Sequence, residues 1–274
     1  MSQYTSGPSG RRKPPLRMLV AIGLILILGA VIILASFTVL QLPRPISEQA
    51  NNTHLLYEAV LTISMIVFFL VTSGIIWAVF RYKREPGDET LPEQIHGSNV
   101  LEMTWTIIPI LILVALFIPA LLIVLDMKSQ PAEADAAVVV DVIGHQWWWE
   151  FDYNQDGFKV QQTPPDYANL DPPHLVVPVG ETVLLRIHST DVVHSFYVPH
   201  LLYKIQAIPG NINEMHFKVK DGEVGTYTGQ CFQFCGLHHS DMRFVLDVRT
   251  QADYDSWVTQ QKTAAPATTG TGSK

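Results

Sequence analysis

Cys231-Phe-Gln-Phe-Cys235-Gly-Leu-His-His239-Ser-Asp-Met242 brings two thiols, an imidazole and a thioether into 12 residues. His194 lies upstream, in a different apolar stretch. Soft sulfur together with imidazole selects copper, zinc or iron. A mononuclear blue-copper site takes two His, one Cys and a weak axial Met. This chain carries that set and one thiolate more. The surplus allows two Cys to bridge two copper ions, one His capping each, with Met242 and a backbone carbonyl as weak axial ligands. A metal pair that shares one electron relaxes little on redox change, which suits electron transfer. Two other readings use the same residues. Zinc accepts a Cys₂His₂ set but needs no Met at this spacing. A disulfide between the chain's only two Cys fits an exported protein. It leaves His194, His239 and Met242 without a purpose. His145, His188, His200 and His216 read as ordinary surface or hydrogen-bonded histidines.

Around this stretch the second half of the chain is strand-like. Val138-Val-Val-Asp-Val-Ile, the aromatic run from Gly144 to Tyr153, His174-Leu-Val-Val-Pro-Val and Thr182-Val-Leu-Leu-Arg-Ile all favour strands. So do His194-Ser-Phe-Tyr-Val, Glu214-Met-His-Phe-Lys-Val, Gly225-Thr-Tyr-Thr and Met242-Arg-Phe-Val-Leu-Asp-Val. Gly, Pro, Asn and Asp clusters separate them. Six or more short strands with such turns predict a β-sandwich or Greek-key barrel. In that architecture a strand end and a loop converge at one pole, which gives His194 a way to reach the two Cys. Within the aromatic run, strand alternation puts Trp147 and Trp149 on one face and Trp148 on the other. Residues 251–261 predict a short terminal helix, and the Ala/Thr/Gly-rich residues 263–274 a disordered tail.

The first half has a different solvent. The chain is 48% hydrophobic and only 16% charged, and the missing charge is concentrated in three runs. Residues 18–40, 59–80 and 103–125 contain no charged side chain over 23, 22 and 23 positions. A helix needs about 20 apolar residues to cross the hydrocarbon core. The first run follows Arg11, Arg12, Lys13 and Arg17 and reads as a signal peptide or a retained signal anchor. The other two form an antiparallel hairpin, the last with kinks expected at Pro109 and Pro119. Lys and Arg placement sets the orientation. The basic arm and the 81–99 loop, with Arg81, Lys83 and Arg84, face the cytoplasm, and all that follows the third run lies outside.

The exported part, residues 128–262, carries 17 acidic and 9 basic side chains, a net of −8. That charge excludes nucleic acid as a natural partner and suits a basic protein steered electrostatically. The domains expected are an N-terminal arm with signal or anchor helix (1–50), a two-helix hairpin in membrane lipid (51–128), an extracytoplasmic β-domain (129–262) and a tail (263–274).

At these residues the chain resembles subunit II of the haem–copper cytochrome oxidases. His194, Cys231, Cys235, His239 and Met242 match the family pattern of an upstream His followed by Cys-x-x-x-Cys-x-x-x-His-x-x-Met. Gly144-His-Gln-Trp-Trp-Trp, His194-Ser-Phe-Tyr-Val-Pro and Ala207-Ile-Pro-Gly match its flanking words, over about residues 51–250. The resemblance implies a helical hairpin followed by an all-β cupredoxin-like Greek-key sandwich that holds a dinuclear CuA copper centre. Cys231 and Cys235 would bridge the metals. His194 and His239, not His238, would cap them, and Met242 and the backbone carbonyl of Gln233 would complete the set. Electrons would come from cytochrome c or a similar donor, enter at Trp147, and pass to haem in subunit I of a plasma-membrane complex that also holds subunit III. There oxygen is reduced to water with proton pumping. Glu102 falls where family members place an acid at a proton-channel mouth. It is equally an ordinary acid at a helix N-terminus.

Two positions depart from the pattern. Gln233 replaces a Glu whose side chain ligates Mg²⁺ at the subunit I interface. Copper binding through the carbonyl is unaffected, but Gln is a weaker partner for a hard cation, which leaves that Mg²⁺ open. Gln206 replaces an Asp near the donor-docking face, which leaves the donor open. The other functional readings are a CuA subunit of a nitric oxide reductase-type complex and a membrane-tethered copper-binding or assembly protein.

Overall fold

The computed structural model describes residues 16–83, 97–129, 133–161 and 172–264. Arg11, Arg12, Lys13 and Arg84 lie outside the described residues, as does the tail from residue 265. The three apolar runs are helices: α1 (Leu16–Val39), α2 (Glu48–Arg81) and α3 (Asn99–Lys128). Among the described residues, α2 and α3 are long and apolar enough to span a membrane. Their large apolar side chains, such as Ile66, Leu70, Leu113 and Phe117, are exposed. That arrangement is unfavourable in water and natural in lipid. α3 runs without a break through Pro109 and Pro119.

α2 starts at Glu48, well ahead of the apolar run at residue 59. Ser47 explains the start, because its hydroxyl accepts the Ala50 backbone N–H at 3.1 Å, an N-cap contact. The segment around it is held by the sandwich. Ile46 N–H donates to the His200 carbonyl at 3.1 Å, Lys220 N–H donates to the Ile46 carbonyl at 2.9 Å, and Gln49 accepts the Lys218 N–H at 3.2 Å. Ile46 and Ala50 are fully buried. Leu42–Tyr57 form one compact unit with Ile112–Lys274.

The rest is a sandwich of two five-stranded sheets. One contains β1 (Val138–His145), β2 (Trp148–Tyr153), β3 (Phe158–Gln161), β5 (Thr182–Ser189) and β8 (Asn213–Lys218), in the order β3-β2-β1-β5-β8. The other contains β4 (His174–Pro178), β6 (His194–Val198), β7 (Tyr203–Ala207), β9 (Gly225–Cys231) and β10 (Arg243–Arg249), in the order β4-β10-β9-β6-β7. β1 with β5 and β10 with β4 are parallel pairs, and the other neighbours are antiparallel. Alternate residues of each sheet turn inward. Phe196 stacks on Phe244 at 4.5 Å, and Trp149 meets both edge-on. At the far end α4 (Gln251–Ala264) lays Trp257 against Tyr153 and Phe158. It extends two residues past the predicted tail boundary.

The aromatic run is not one strand. The chain turns at Gln146-Trp147, a cis peptide bond, between β1 and β2. Trp147 thus leaves the face it was expected to share with Trp149. Trp149 is core, while Trp148 stacks on His145 at 4.0 Å on the outer face.

Candidate metal centre

Three adjacent strands of one sheet bring the predicted residues together. His194 opens β6, Cys231 ends β9, and Met242 directly precedes β10. Pairing of Phe196 with Cys231 sets the register of β6 on β9, and Cys231 N–H donates to the Met242 carbonyl at 2.9 Å. The intervening loop, residues 232–241, folds over this end. Phe232 N–H donates to the Ser195 carbonyl at 3.0 Å and His239 N–H to the Gly236 carbonyl at 3.2 Å.

The side chains form one line of contacts. Cys231 Sγ lies 3.9 Å from His194 Nδ1, 3.2 Å from the Gln233 carbonyl and 3.9 Å from Cys235 Sγ. Cys235 Sγ lies 3.5 Å from His239 Nδ1 and 3.9 Å from Met242 Sδ. All six predicted positions meet here. The cysteines are free, because their separation is nearly twice a disulfide bond of about 2.05 Å. The disulfide reading is thereby removed for this state. His194, Cys231 and Cys235 have ligand atoms all within 4.8 Å of one another and form a group able to hold a metal ion. His239 touches Cys235 yet stands outside that group of three. His194 and Met242 are fully buried, and the two Cys nearly so.

The neighbours of these groups act on their charge. Burial lowers the His194 pKa, but the hydrogen bonds and charges of Cys231 and Asp191 outweigh it and move it above the usual histidine range. Burial raises the Cys231 pKa, and the contacts with His194, the Ser195 backbone and the Gln233 backbone reverse the direction to a net lowering. Burial and the neighbouring Cys231 push the Cys235 thiol up to about 12. The two sulfurs are thus shifted in opposite directions, and a soft cation placed between them meets two soft donors.

Trp147 sits beside this cluster. Its Nε1–H donates to the Cys235 carbonyl at 3.0 Å, and its ring meets His238 edge-on at 5.0 Å. His238 Nδ1 lies 3.2 Å from Asp241, while His239 Nδ1 lies against the Cys235 thiol. His145, His188, His200 and His216 also lie outside the metal-capable group. Gln206 is exposed on β7, opposite Ser195. Glu102 is far away in sequence, in the first turn of α3, where its carboxylate accepts the Ser98 N–H at 3.3 Å.

Sequence reasoning missed Asp191 and the role of Gln146. Asp191 Oδ1 lies 2.8 Å from His194 Nε2. The (i, i+3) spacing of an acid and a metal-type His was the available signal. Gln146 donates through Nε2 to the Cys235 carbonyl at 2.9 Å.

The profile of "Cytochrome C oxidase subunit II, periplasmic domain" matches residues 138–249, and that of "Cytochrome C oxidase subunit II, transmembrane domain" matches residues 35–123. Cytochrome c oxidase subunit 2 of Alkalihalophilus pseudofirmus is 39% identical over 204 residues, which cover 72% of this chain and 56% of that protein. The chain thus spans little over half the length of that relative. Probable cytochrome c oxidase subunit 2 of Rickettsia conorii is 31% identical, over 81% of this chain and 70% of its own length. Among solved structures, the periplasmic domain of subunit II of cytochrome oxidase (CoxB) of Bradyrhizobium japonicum is 30% identical. It covers 47% of this chain and 96% of that one, with a TM-score of 0.42.

Proposed function

Because the chain belongs to the cytochrome c oxidase subunit II family, a membrane-anchored subunit with an extracytoplasmic C-terminal domain, we propose that it is the electron-input subunit of a haem–copper oxidase. In this reading His194, Cys231, Cys235, His239, Met242 and the Gln233 carbonyl hold a dinuclear CuA centre. It takes single electrons from cytochrome c or a similar donor and hands them to haem in subunit I, within a complex that also contains subunit III. Oxygen reduction to water and proton pumping would belong to the partner subunit.

The observation that carries the reading is the position of His239. A single tetrahedral zinc with bonds of about 2.0–2.3 Å needs all four donors within about 4 Å of one another. His239 contacts one sulfur but lies outside the compact group of the other three. An imidazole at each end of a shared sulfur pair supports two ions instead of one. When bound, the copper pair supplies one-electron redox chemistry. The protein's part is to keep the donor set fixed and dry, which His194 and Met242, both fully buried, accomplish. Such burial also opposes a metal-delivery role, since a carrier must release its cargo. Exposed Phe234 and Leu237, on the loop that folds over the centre, offer apolar surface to another oxidase subunit. Trp147, bonded to the carbonyl of Cys235, is the proposed point of electron input. Glu102, in the first turn of α3, is the proposed proton-channel mouth, and E102Q should slow turnover of the assembled oxidase while leaving the copper spectrum unchanged.

The test is metal analysis of the purified full-length chain in detergent after copper loading. Two coppers per chain with visible thiolate-to-copper absorption are expected. One zinc and no visible absorption would overturn the reading.

A further inference from the structure

Asp191 lies in the turn between β5 and β6, and its two carboxylate oxygens serve different ends of the centre. Oδ1 is 2.8 Å from His194 Nε2 and accepts the Val192 N–H at 2.6 Å. Oδ2 accepts the backbone N–H of Gln146 at 2.6 Å. Gln146 and Trp147 then return to the centre, because both side chains donate to the Cys235 carbonyl, at 2.9 and 3.0 Å. The turn is itself held: Ser189 Oγ accepts the Asp191 N–H at 3.2 Å, and Thr190 N–H donates to the Gly144 carbonyl at 3.2 Å. A closed circuit results, running from Asp191 through His194, Cys231 and Cys235 to Trp147 and Gln146, and back to Asp191.

We propose that Asp191 is a positioning residue that ties the metal centre to the electron-input ring. Through Oδ1 it fixes the tautomer and plane of His194, and through Oδ2 it anchors the main chain that carries Gln146 and Trp147. An imidazole whose Nε2–H is given to a carboxylate presents the lone pair of Nδ1 to a metal and becomes a stronger donor. Nδ1 is the nitrogen that faces Cys231 here. His239 has no such carboxylate in contact among the hydrogen bonds of the described residues, so the two capping histidines differ. The His194 end is buried and backed by a negative charge, which favours the oxidised, more positive centre. The second arm gives the carboxylate a further effect. Loss of its grip on Gln146 N loosens both donors that hold the Cys235 carbonyl, one of which is the indole. A residue that only closed a turn would need neither bond.

The inference rests on the copper reading above, and its test is arranged to separate the two. The full-length chain is loaded with copper in detergent and compared with D191N and Q146A. Asn keeps one acceptor oxygen where Asp has two and carries no charge, so the negative charge behind His194 is lost whichever partner the oxygen keeps. D191N should show a higher reduction potential, an altered hyperfine coupling of one histidine nitrogen, and copper affinity about 10–100-fold weaker in chelator competition, the usual effect of removing the partner of a ligating His. Q146A leaves both Asp191 bonds in place, since Asp191 holds the Gln146 main chain, and removes only the side-chain donor to the Cys235 carbonyl. It should retain the wild-type potential and nitrogen coupling but accept electrons from reduced cytochrome c more slowly. If D191N fails to fold, the wild-type chain decides. The His194 Nε2 proton should then be slow to exchange in paramagnetic NMR, and fast exchange would sink the proposal. A folded D191N with unchanged potential and coupling overturns it, and Q146A with wild-type electron uptake overturns the link from Gln146 to the Cys235 carbonyl through which the second arm acts. A wild-type chain that takes up no copper pair overturns both this proposal and the functional reading.

Discussion

The imidazole of His194 lies directly against the α-carbon of Gly144. A methyl group built on Gly144 would sit 2.8 Å from His194 Cδ2 and 3.2 Å from Cγ. Gly144 belongs to β1 of one sheet and His194 to β6 of the other, so the imidazole fills space between the sheets that only a missing side chain leaves open.

G144A therefore tests the centre without touching a ligand. Overpacking of this kind costs about 1–3 kcal/mol, well within what a sandwich of this size tolerates. The ring cannot stay in place, however. The expected outcome is a folded protein, by far-UV circular dichroism, that has lost most of its thiolate-to-copper absorption and holds less copper per chain. Full copper occupancy with an unchanged spectrum would count against the fixed position of His194.

Gly236 stands in a similar relation to Trp147. Its φ is +121°, a conformation that side chains avoid, and a Cβ there would meet the indole Nε1 at 3.0 Å. Two variants separate the ring from the metal. W147F loses the bond to the Cys235 carbonyl, worth about 1 kcal/mol, and should keep both the copper content and the spectrum while reduced cytochrome c transfers its electron more slowly. G236A displaces the same ring and should slow the same step. Stopped-flow reduction monitored at the copper band measures both. A W147F chain reduced at the wild-type rate would remove Trp147 from the electron path.

Cys231, Cys235, His239 and Met242 were legible because their types and spacing are themselves the chemistry. The change from long apolar runs to alternating strands was legible because the two solvents impose different periods. The turn at Gln146-Trp147 was hidden, since three consecutive tryptophans carry no Gly or Pro and mimic a strand. Asp191 was hidden for the opposite reason. Ser-Thr-Asp reads as a turn, and the (i, i+3) spacing to His194 is too common a pattern to show by itself that the carboxylate faces the ring. The Leu42–Tyr57 segment joins the β-unit through an isolated bridge, Ser47 to Val219, and a few hydrogen bonds around it, too short a pairing to leave a periodic signal. β3 and β7, at four and five residues, are likewise too short to stand out.

Tyr153 makes a prediction about stability and pH. Its hydroxyl donates to the Val176 carbonyl and accepts the Val176 N–H, both at 2.8 Å, and so satisfies the free side of edge strand β4 from the opposite sheet. Burial raises its pKa well above the usual tyrosine range. Tyr203, Tyr227 and Tyr254 are shifted in the same direction, in each case first by burial. A raised pKa means that the folded chain keeps a proton that the unfolded chain releases above about pH 10. The stability these groups contribute is therefore complete below that pH and is lost as pH climbs past it toward the folded value. Denaturant midpoints followed by tryptophan fluorescence should fall more steeply above pH 10 than below it. Y153F should lower the midpoint at pH 8, because it strands both Val176 groups at a cost of about 1–3 kcal/mol, and should make the alkaline fall shallower. A fall as steep as in the wild type would show that the Tyr153 phenol ionises as freely in the folded chain as in the unfolded one.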